Sequence, residues 1–352
     1  MIVLGIETSC DETAAAVVDA GADGVWHTRS NVVASQIAIH TEWGGVVPEL
    51  ASRQHVRDIC GVVDRALADA EVGWAALDGV AVTEGPGLVG SLLVGVSFAK
   101  AAAWARGLPL VGVNHIAGHI ESLWLGHGAL PLPAIVLVVS GGHTSLYLVP
   151  EAGVYRPLGR TRDDAAGEAY DKVAKLLGLG YPGGPLIDRL AATGRDDAVD
   201  LPVTRLTHPD RNAPDRDGTF DFSFSGIKTA VLRHVRARQA VSGVEALPDG
   251  EIADVCASFQ RVVVRTLLTR TFAAAAAHGA RAVGVAGGVS ANSRLRRELA
   301  ARGAGARLPV FVPPMALATD NAAMIAAAGL RRFARGELAT DRLNAVPSLV
   351  LG

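Results

Sequence analysis

A short apolar strand that ends in a polar turn and doubles back as a second strand occurs twice, once near the start of each half of the chain. In the first copy, Ile2-Val3-Leu4-Gly5-Ile6 runs into Thr8-Ser9-Cys10-Asp11-Glu12-Thr13, and residues 14–18 return. In the second, residues 135–140 reach the Gly141-Gly142 turn and residues 143–149 return with alternating character. The two sequences are not visibly alike, but the shared order points to an internal duplication of architecture. A chain of 352 residues is too long for one typical core, so two domains are expected. Leu130-Pro131-Leu132-Pro133 is the predicted linker between them.

The rest of each half alternates strands with helices. Residues 31–47 read as a strand region ending at Gly44-Gly45, and Pro48 opens a helix to about residue 70. A strand over 79–83 is broken by Glu84-Gly85-Pro86-Gly87, an apolar helix follows to about residue 106, and a strand over 110–113 leads into another helix. In the second half, helices are predicted over 165–177, after the Tyr181-Pro182-Gly183-Gly184-Pro185 turn, from about residue 225, and over 252–278. Residues 196–220 are polar, irregular and rich in proline, which reads as a surface insertion. The strand over 282–286, the Gly287-Gly288 turn and a helix capped by Ser290 or Asn292 make a seat for a phosphate or nucleoside. That seat carries neither G-x-G-x-x-G nor the P-loop pattern, which disfavours Rossmann and Walker assignments for it. After Pro313-Pro314, Asp320 stands where a helix-starting carboxylate would, with capping as its ordinary use.

The chemistry-bearing signal is Asn114-His115-Ile116-Ala117-Gly118-His119. On a helix, residues four apart share a face with Cβ atoms about 5–6 Å apart. Two imidazoles so placed suit a divalent metal, and Asp320 is a candidate third ligand. A zinc peptidase would carry Glu after the first histidine, where this chain has Ile116. No G-x-S-x-G nucleophile elbow occurs. The hydroxyls, amides and two carboxylates of the first hairpin tip, Asp11 and Glu12, can serve a phosphate or its metal, though a capped surface turn has the same composition. A formal charge of −2 argues against a chain that is basic overall, so nucleic acid would need local clusters. Three well-separated cysteines argue against a disulfide framework and for a reducing, cytoplasmic setting. No signal peptide and no membrane span are expected, since the apolar runs are short or interrupted.

Seven ordered signatures together resemble one family. They are Gly5-Ile6-Glu7-Thr8-Ser9-Cys10-Asp11-Glu12-Thr13, Asn114-His115-Ile116-Ala117-Gly118-His119, Val139-Ser140-Gly141-Gly142-His143-Thr144, Gly167-Glu168-Ala169-Tyr170-Asp171-Lys172, Tyr181-Pro182-Gly183-Gly184-Pro185, Phe222-Ser223-Phe224-Ser225-Gly226-Ile227-Lys228 and Gly287-Gly288-Val289-Ser290-Ala291-Asn292. The chain resembles the catalytic subunit of tRNA N6-adenosine threonylcarbamoyltransferases, a family formerly named O-sialoglycoprotein endopeptidase. The resemblance implies an α/β, actin-like and sugar-kinase-like ATPase fold, with two ribonuclease-H-like domains and a central cleft. The domains would be 1–130 and 131–324, with a terminal helix over 325–352 packing back on the first.

The same resemblance implies transfer of threonylcarbamoyl from threonylcarbamoyl-adenylate to the N6 amine of the adenosine 3′ of the anticodon, in tRNAs reading codons that start with A. It implies one divalent metal, iron(II) or zinc, on His115, His119 and Asp320. The acyl-adenylate would meet Val138, Val139, Ser140, Gly141, Gly142, Asp171, Gly184, Asp188 and Asn292. Asp11 and Glu12, on the first hairpin tip, are the candidate catalytic carboxylates near the phosphate, as a base or a second metal contact. The partners implied are tRNA, a smaller paralogue of the same fold and an accessory ATPase. The tRNA would use clusters such as Arg160/Arg162, Arg233/Arg236 or Arg294/Arg296/Arg297. A metallopeptidase is the older alternative, and a non-catalytic nucleotide-binding scaffold of the same fold is another. The missing Glu at position 116 counts against the first and the His pair against the second.

Overall fold

The computed structural model describes residues 1–21, 24–204, 206, 219–243 and 246–352. In chain order the elements are β1 (Ile2–Glu7), β2 (Glu12–Ala20), β3 (Trp26–Ser35), α1 (Ile37–Thr41), α2 (Pro48–Asp69), β4 (Gly79–Gly85), α3 (Val89–Arg106), β5 (Leu110–Asn114) and α4 (His115–His127). There follow β6 (Ala134–Val139), β7 (Thr144–Val149), β8 (Arg156–Arg160), α5 (Ala166–Leu176), α6 (Gly183–Ala191), α7 (Ser225–Ser242), α8 (Asp249–Ala277), β9 (Ala282–Ala286), α9 (Ser293–Ala306), β10 (Val310–Phe311) and α10 (Ala322–Ala334).

The chain divides into two compact units. One comprises Met1–Leu130, Ala152–Tyr155 and Pro313–Gly352, and the other Pro131–Glu151 and Arg156–Val312. The first sheet has the order β3-β2-β1-β4-β5 and the second β8-β7-β6-β9-β10. In each, a three-stranded antiparallel meander is extended by two parallel strands beside its first strand. The duplication expected from the two hairpins is therefore a duplication of the whole sheet.

In the first unit both sheet faces are covered, which is why the parallel strands are apolar up to their last residues. Leu4, Ile6, Val80 and Val82 pack against Ile59, Val63 and Ala66 of α2 and Val96 and Ala99 of α3. On the other face, Val3, Ala81, Val111 and Val113 pack against Ala322, Ile325 and Ala326 of α10. Gly5 permits this approach: a Cβ there would strike the Ala322 carbonyl and lie 2.7 Å from Ala326 N. In the second unit, Ile135, Leu137 and Val139 pack with Tyr170 and Val173 of α5, Phe259 and Val263 of α8, and Phe222 and Phe224.

Three details differ from the sequence reading. Residues 31–47 are not one strand region, because β3 ends at Ser35 and α1 follows, burying His40. The chain rejoins the first unit at Pro313 rather than at 325, so Asp320 shares a unit with His115 and His119. The closing helix is Ala322–Ala334, and the non-helical residues after it lie along β4 and β5, with Ala339 N donating to Leu110 O and Val346 N to Glu84 O. Most of the 196–220 stretch, residues 205 and 207–218, lies outside the described residues.

Candidate metal centre

In the first unit the parallel strands β1, β4 and β5 end on one side, where open α/β sheets carry their sites. β5 passes directly into α4, with the Asn114 side chain capping it by accepting from Ile116 N at 2.9 Å. This places His115 in the first turn of α4 and His119 one turn on. Asp320 precedes α10, whose cap is Asn321, accepting from Met324 N at 3.1 Å. The capping role open to Asp320 in the sequence is thus taken by its neighbour. α4 lies against α10 at Gly118, between the two histidines, where a Cβ would lie 2.8 Å from Ile325 Cδ1.

Asp320 Oδ1 lies 3.2 Å from His119 Nε2 and 3.6 Å from His115 Nε2. One donor atom from each of the three residues lies within 4.8 Å of the others. Ligand bonds of about 2.0–2.2 Å to a shared cation set donors about 3–4 Å apart, so the spacing fits. His119 is completely buried, its Nδ1 has no hydrogen-bond partner among the described residues, and its Nε2 faces only the Asp320 carboxylate there. A buried imidazole nitrogen held only against a carboxylate is suited to a cation shared between them. The residues present therefore fit a divalent metal.

Behind His115 stands a carboxylate that sequence reasoning assigned no role. Glu7, at the end of β1, sets Oε2 2.9 Å from His115 Nδ1 and 2.7 Å from the donating Thr83 hydroxyl, while Oε1 accepts from Ser9 N. The Ser9 hydroxyl is 3.1 Å from the same Nδ1. This is the arrangement that fixes a metal-binding imidazole and turns its other nitrogen outward. The signal was available: a carboxylate ends an otherwise apolar strand and is completely buried.

Burial opposes charge on both partners, but their mutual attraction prevails. His115 is raised to about 9 against that burial by Asp320 and Glu7. The adjacent imidazole likewise holds Glu7 below its ordinary value. His119 is lowered, by burial first and by the His115 charge. Glu12 is pushed well above the carboxylate range by burial, then by the neighbouring charges of Asp320 and Asp11. Asp11 and Glu12 therefore belong to the electrostatic neighbourhood of the cluster.

The other predicted residues gather in the second unit. Val138 and Val139 end β6, and Gly141 and Gly142 are exposed at its turn. Ser140 O accepts from Gly167 N at 3.2 Å, tying that turn to the start of α5. Asp171 Oδ1 accepts from Gly183 N at 2.7 Å, tying α5 to α6, which Gly183 and Gly184 begin. Asp188 accepts from Asn292 Nδ2 at 3.2 Å, Gln260 Nε2 at 3.0 Å, and Ser293 N at 3.0 Å. Asn292 in turn caps α9, accepting from Leu295 N at 2.9 Å. Three helix starts are thereby linked beside the ends of parallel strands β6 and β9, where amide dipoles favour an anion.

A model of the tRNA N6-adenosine threonylcarbamoyltransferase family matches residues 27–327. The protein of that name from Moorella thermoacetica is 51% identical over 350 residues, covering 99% of this chain and 97% of the relative. This chain belongs to that family. It is thus of the tRNA N6-adenosine threonylcarbamoyltransferases, which are acyltransferases, as its motifs imply. Solved structures with the same fold are full-length HypF in its phosphate- and nucleotide-bound form and the activator of 2-hydroxyisocaproyl-CoA dehydratase from Clostridium difficile with bound ADPNP. They align with TM-scores of 0.57 and 0.51 at 13% and 12% identity, over 96% and 97% of this chain and 56% and 99% of theirs. The threonylcarbamoyltransferase fold is accordingly the actin-like, sugar-kinase-like one.

Among the described residues of this threonylcarbamoyltransferase, no helix is long and apolar enough to cross a membrane. The three cysteines are free thiols. Not all of its predicted basic clusters face outward. Arg162 pairs with buried Asp221 at 2.9 Å, Arg294 with Asp196 and Glu298, and Arg296 donates to Ser290 O. Arg160, Arg233, Arg236 and Arg297 are exposed.

Proposed function

We propose that this acyltransferase moves the threonylcarbamoyl group from threonylcarbamoyl-adenylate to N6 of the adenosine immediately 3′ of the anticodon, in tRNAs that read codons starting with A, releasing AMP. The observation that carries the reading is the buried His115, His119 and Asp320 cluster within a chain of this family. These three residues hold one divalent cation, iron(II) or zinc. When bound, the cation supplies Lewis acidity toward the carbamoyl carbonyl.

The chain's own residues do the rest by position and charge. Glu7 keeps His115 in one orientation through Nδ1. Asp11 and Glu12 stand side by side near the cluster, and burial with the Asp320 charge raises the Glu12 carboxyl, which suits the pair to take up the proton the attacking amine sheds. In the second unit, amides around Gly141 and Gly142 approach a phosphate closely because no side chain intervenes. Gly184, Asp171, Val138, Val139 and Ser140 line the adenylate site, and Asp188 holds Asn292 toward it.

The tRNA is bound partly by exposed arginines, among them Arg233, Arg236 and Arg297. With a formal charge of −2, the chain relies on a smaller paralogue and an accessory ATPase for the remaining surface. The setting is the cytoplasm, in keeping with three free thiols. The test is transfer from synthetic threonylcarbamoyl-adenylate to unmodified tRNA, read by nucleoside mass spectrometry, with His115→Ala as the control. Activity in the wild type that disappears in the variant supports the reading.

A further inference from the structure

The hairpin tip that carries Asp11 and Glu12 is held from outside by groups with no role so far. Cys10 O lies 3.0 Å from His55 Nε2, on α2. Asp11 O accepts from Gln36 N at 3.0 Å, just before α1. A carbonyl only accepts, so Nε2 of His55 carries the proton and Nδ1 is the acceptor. Nδ1 then accepts from the Thr13 hydroxyl at 2.8 Å and from Gln36 Nε2 at 3.3 Å. With its amide nitrogen so committed, Gln36 turns Oε1 to His40 Nε2 at 3.3 Å, and His40 Nδ1 accepts from Val47 N at 3.3 Å. Every donor and acceptor in this chain has one consistent assignment, and it requires His55 to be neutral. His55, His40 and Gln36 are all buried, and burial lowers His55, which agrees with that state.

The core needs no such network, because an apolar side chain at position 55 would fill the same place at less desolvation cost. The network's specific product is the placement of two successive carbonyls, and with them the two carboxylates of Asp11 and Glu12. We infer that His55 is a positioning residue of the acyl transfer: locked as its Nε2–H tautomer by Thr13 and Gln36, it fixes the Cys10 carbonyl and thereby the direction of the Asp11–Glu12 pair. The inference rests on the reading of that pair as proton acceptor for the amine.

The test compares His55→Leu and His55→Gln in the full chain with its partners, alone and combined with Glu12→Gln. Displacement of a catalytic group by about 1 Å costs about 100-fold, so His55→Leu is expected to lower kcat about 10- to 100-fold. Metal content stays at the wild-type level and KM for the acyl-adenylate stays within about twofold, since binding groups are untouched. His55→Gln, whose amide nitrogen can reach the Cys10 carbonyl, recovers most of kcat. In the Glu12→Gln background, His55→Leu costs little more, because both changes disable one device. Wild-type kcat in His55→Leu, or a loss that adds in full to that of Glu12→Gln, overturns the inference. Full activity of Glu12→Gln by itself instead overturns the underlying reading of the carboxylates.

Discussion

Glu7 Oε2 and His115 Nδ1 lie 2.9 Å apart, joining the end of β1 to the first turn of α4. The contact makes a strand residue the orienting partner of a helix residue whose other nitrogen faces Asp320. Glu7→Gln keeps the shape and removes the charge. Loss of such a partner typically costs about 10- to 100-fold in metal affinity. Metal titration of the stripped and refilled protein is expected to show a weakening of that size with one site still filled at saturation. Unchanged affinity would leave Glu7 with a purely structural role.

Metal uptake is expected to release a proton. In the metal-free chain His115 is raised to about 9, so at neutral pH a cation displaces the proton from its imidazole. Apparent affinity therefore rises about tenfold per pH unit from 7 toward 9 and levels off above it. Calorimetry in buffers of different ionisation enthalpy reads the proton count directly. An affinity that falls with rising pH over this range contradicts the assignment.

Gly5→Ala links the core to the site. The added methyl would strike the Ala322 carbonyl, on the helix that follows Asp320. Overpacking of this kind costs about 1–3 kcal/mol. A lowered melting temperature is expected together with weaker metal binding, because α10 must move to admit the methyl. Reduced stability with unchanged metal affinity would separate packing from ligand placement.

Arginines of similar sequence context should behave differently. Arg162→Ala leaves Asp221 buried without its ion partner, a loss of about 3–5 kcal/mol seen as a lower melting temperature. Arg233→Ala with Arg236→Ala removes exposed charges and is expected to leave stability within about 0.5 kcal/mol per site. The pair should weaken tRNA binding and reduce its salt dependence by about one unit of slope per lost phosphate contact. Equal tRNA affinity across 50–200 mM salt would exclude that face.

Both hairpins, the His pair and the glycine turns were legible because their patterns are local: apolar runs punctuated by residues with distinct backbone or ligand chemistry. Asp320 was legible as a candidate but not as a neighbour, since only the return of the chain at Pro313 places it beside α4. Glu7 was written inside a recognised motif, yet its meaning depends on strand β1 ending opposite the start of α4. His55 gave no local signal at all, because its partners are a carbonyl and a hydroxyl from the first hairpin tip and an amide from the residue before α1. The arginines show the same limit, since composition cannot tell a solvated guanidinium from one spent on a buried aspartate.

The central claim is best tested by incubating unmodified tRNA with the full chain, its partners and synthetic threonylcarbamoyl-adenylate, and comparing wild type with His115→Ala by nucleoside mass spectrometry. The expected result is threonylcarbamoyl on the adenosine 3′ of the anticodon with wild type and none with the variant. Equal modification by both, or none by wild type with partners verified as active, would contradict it.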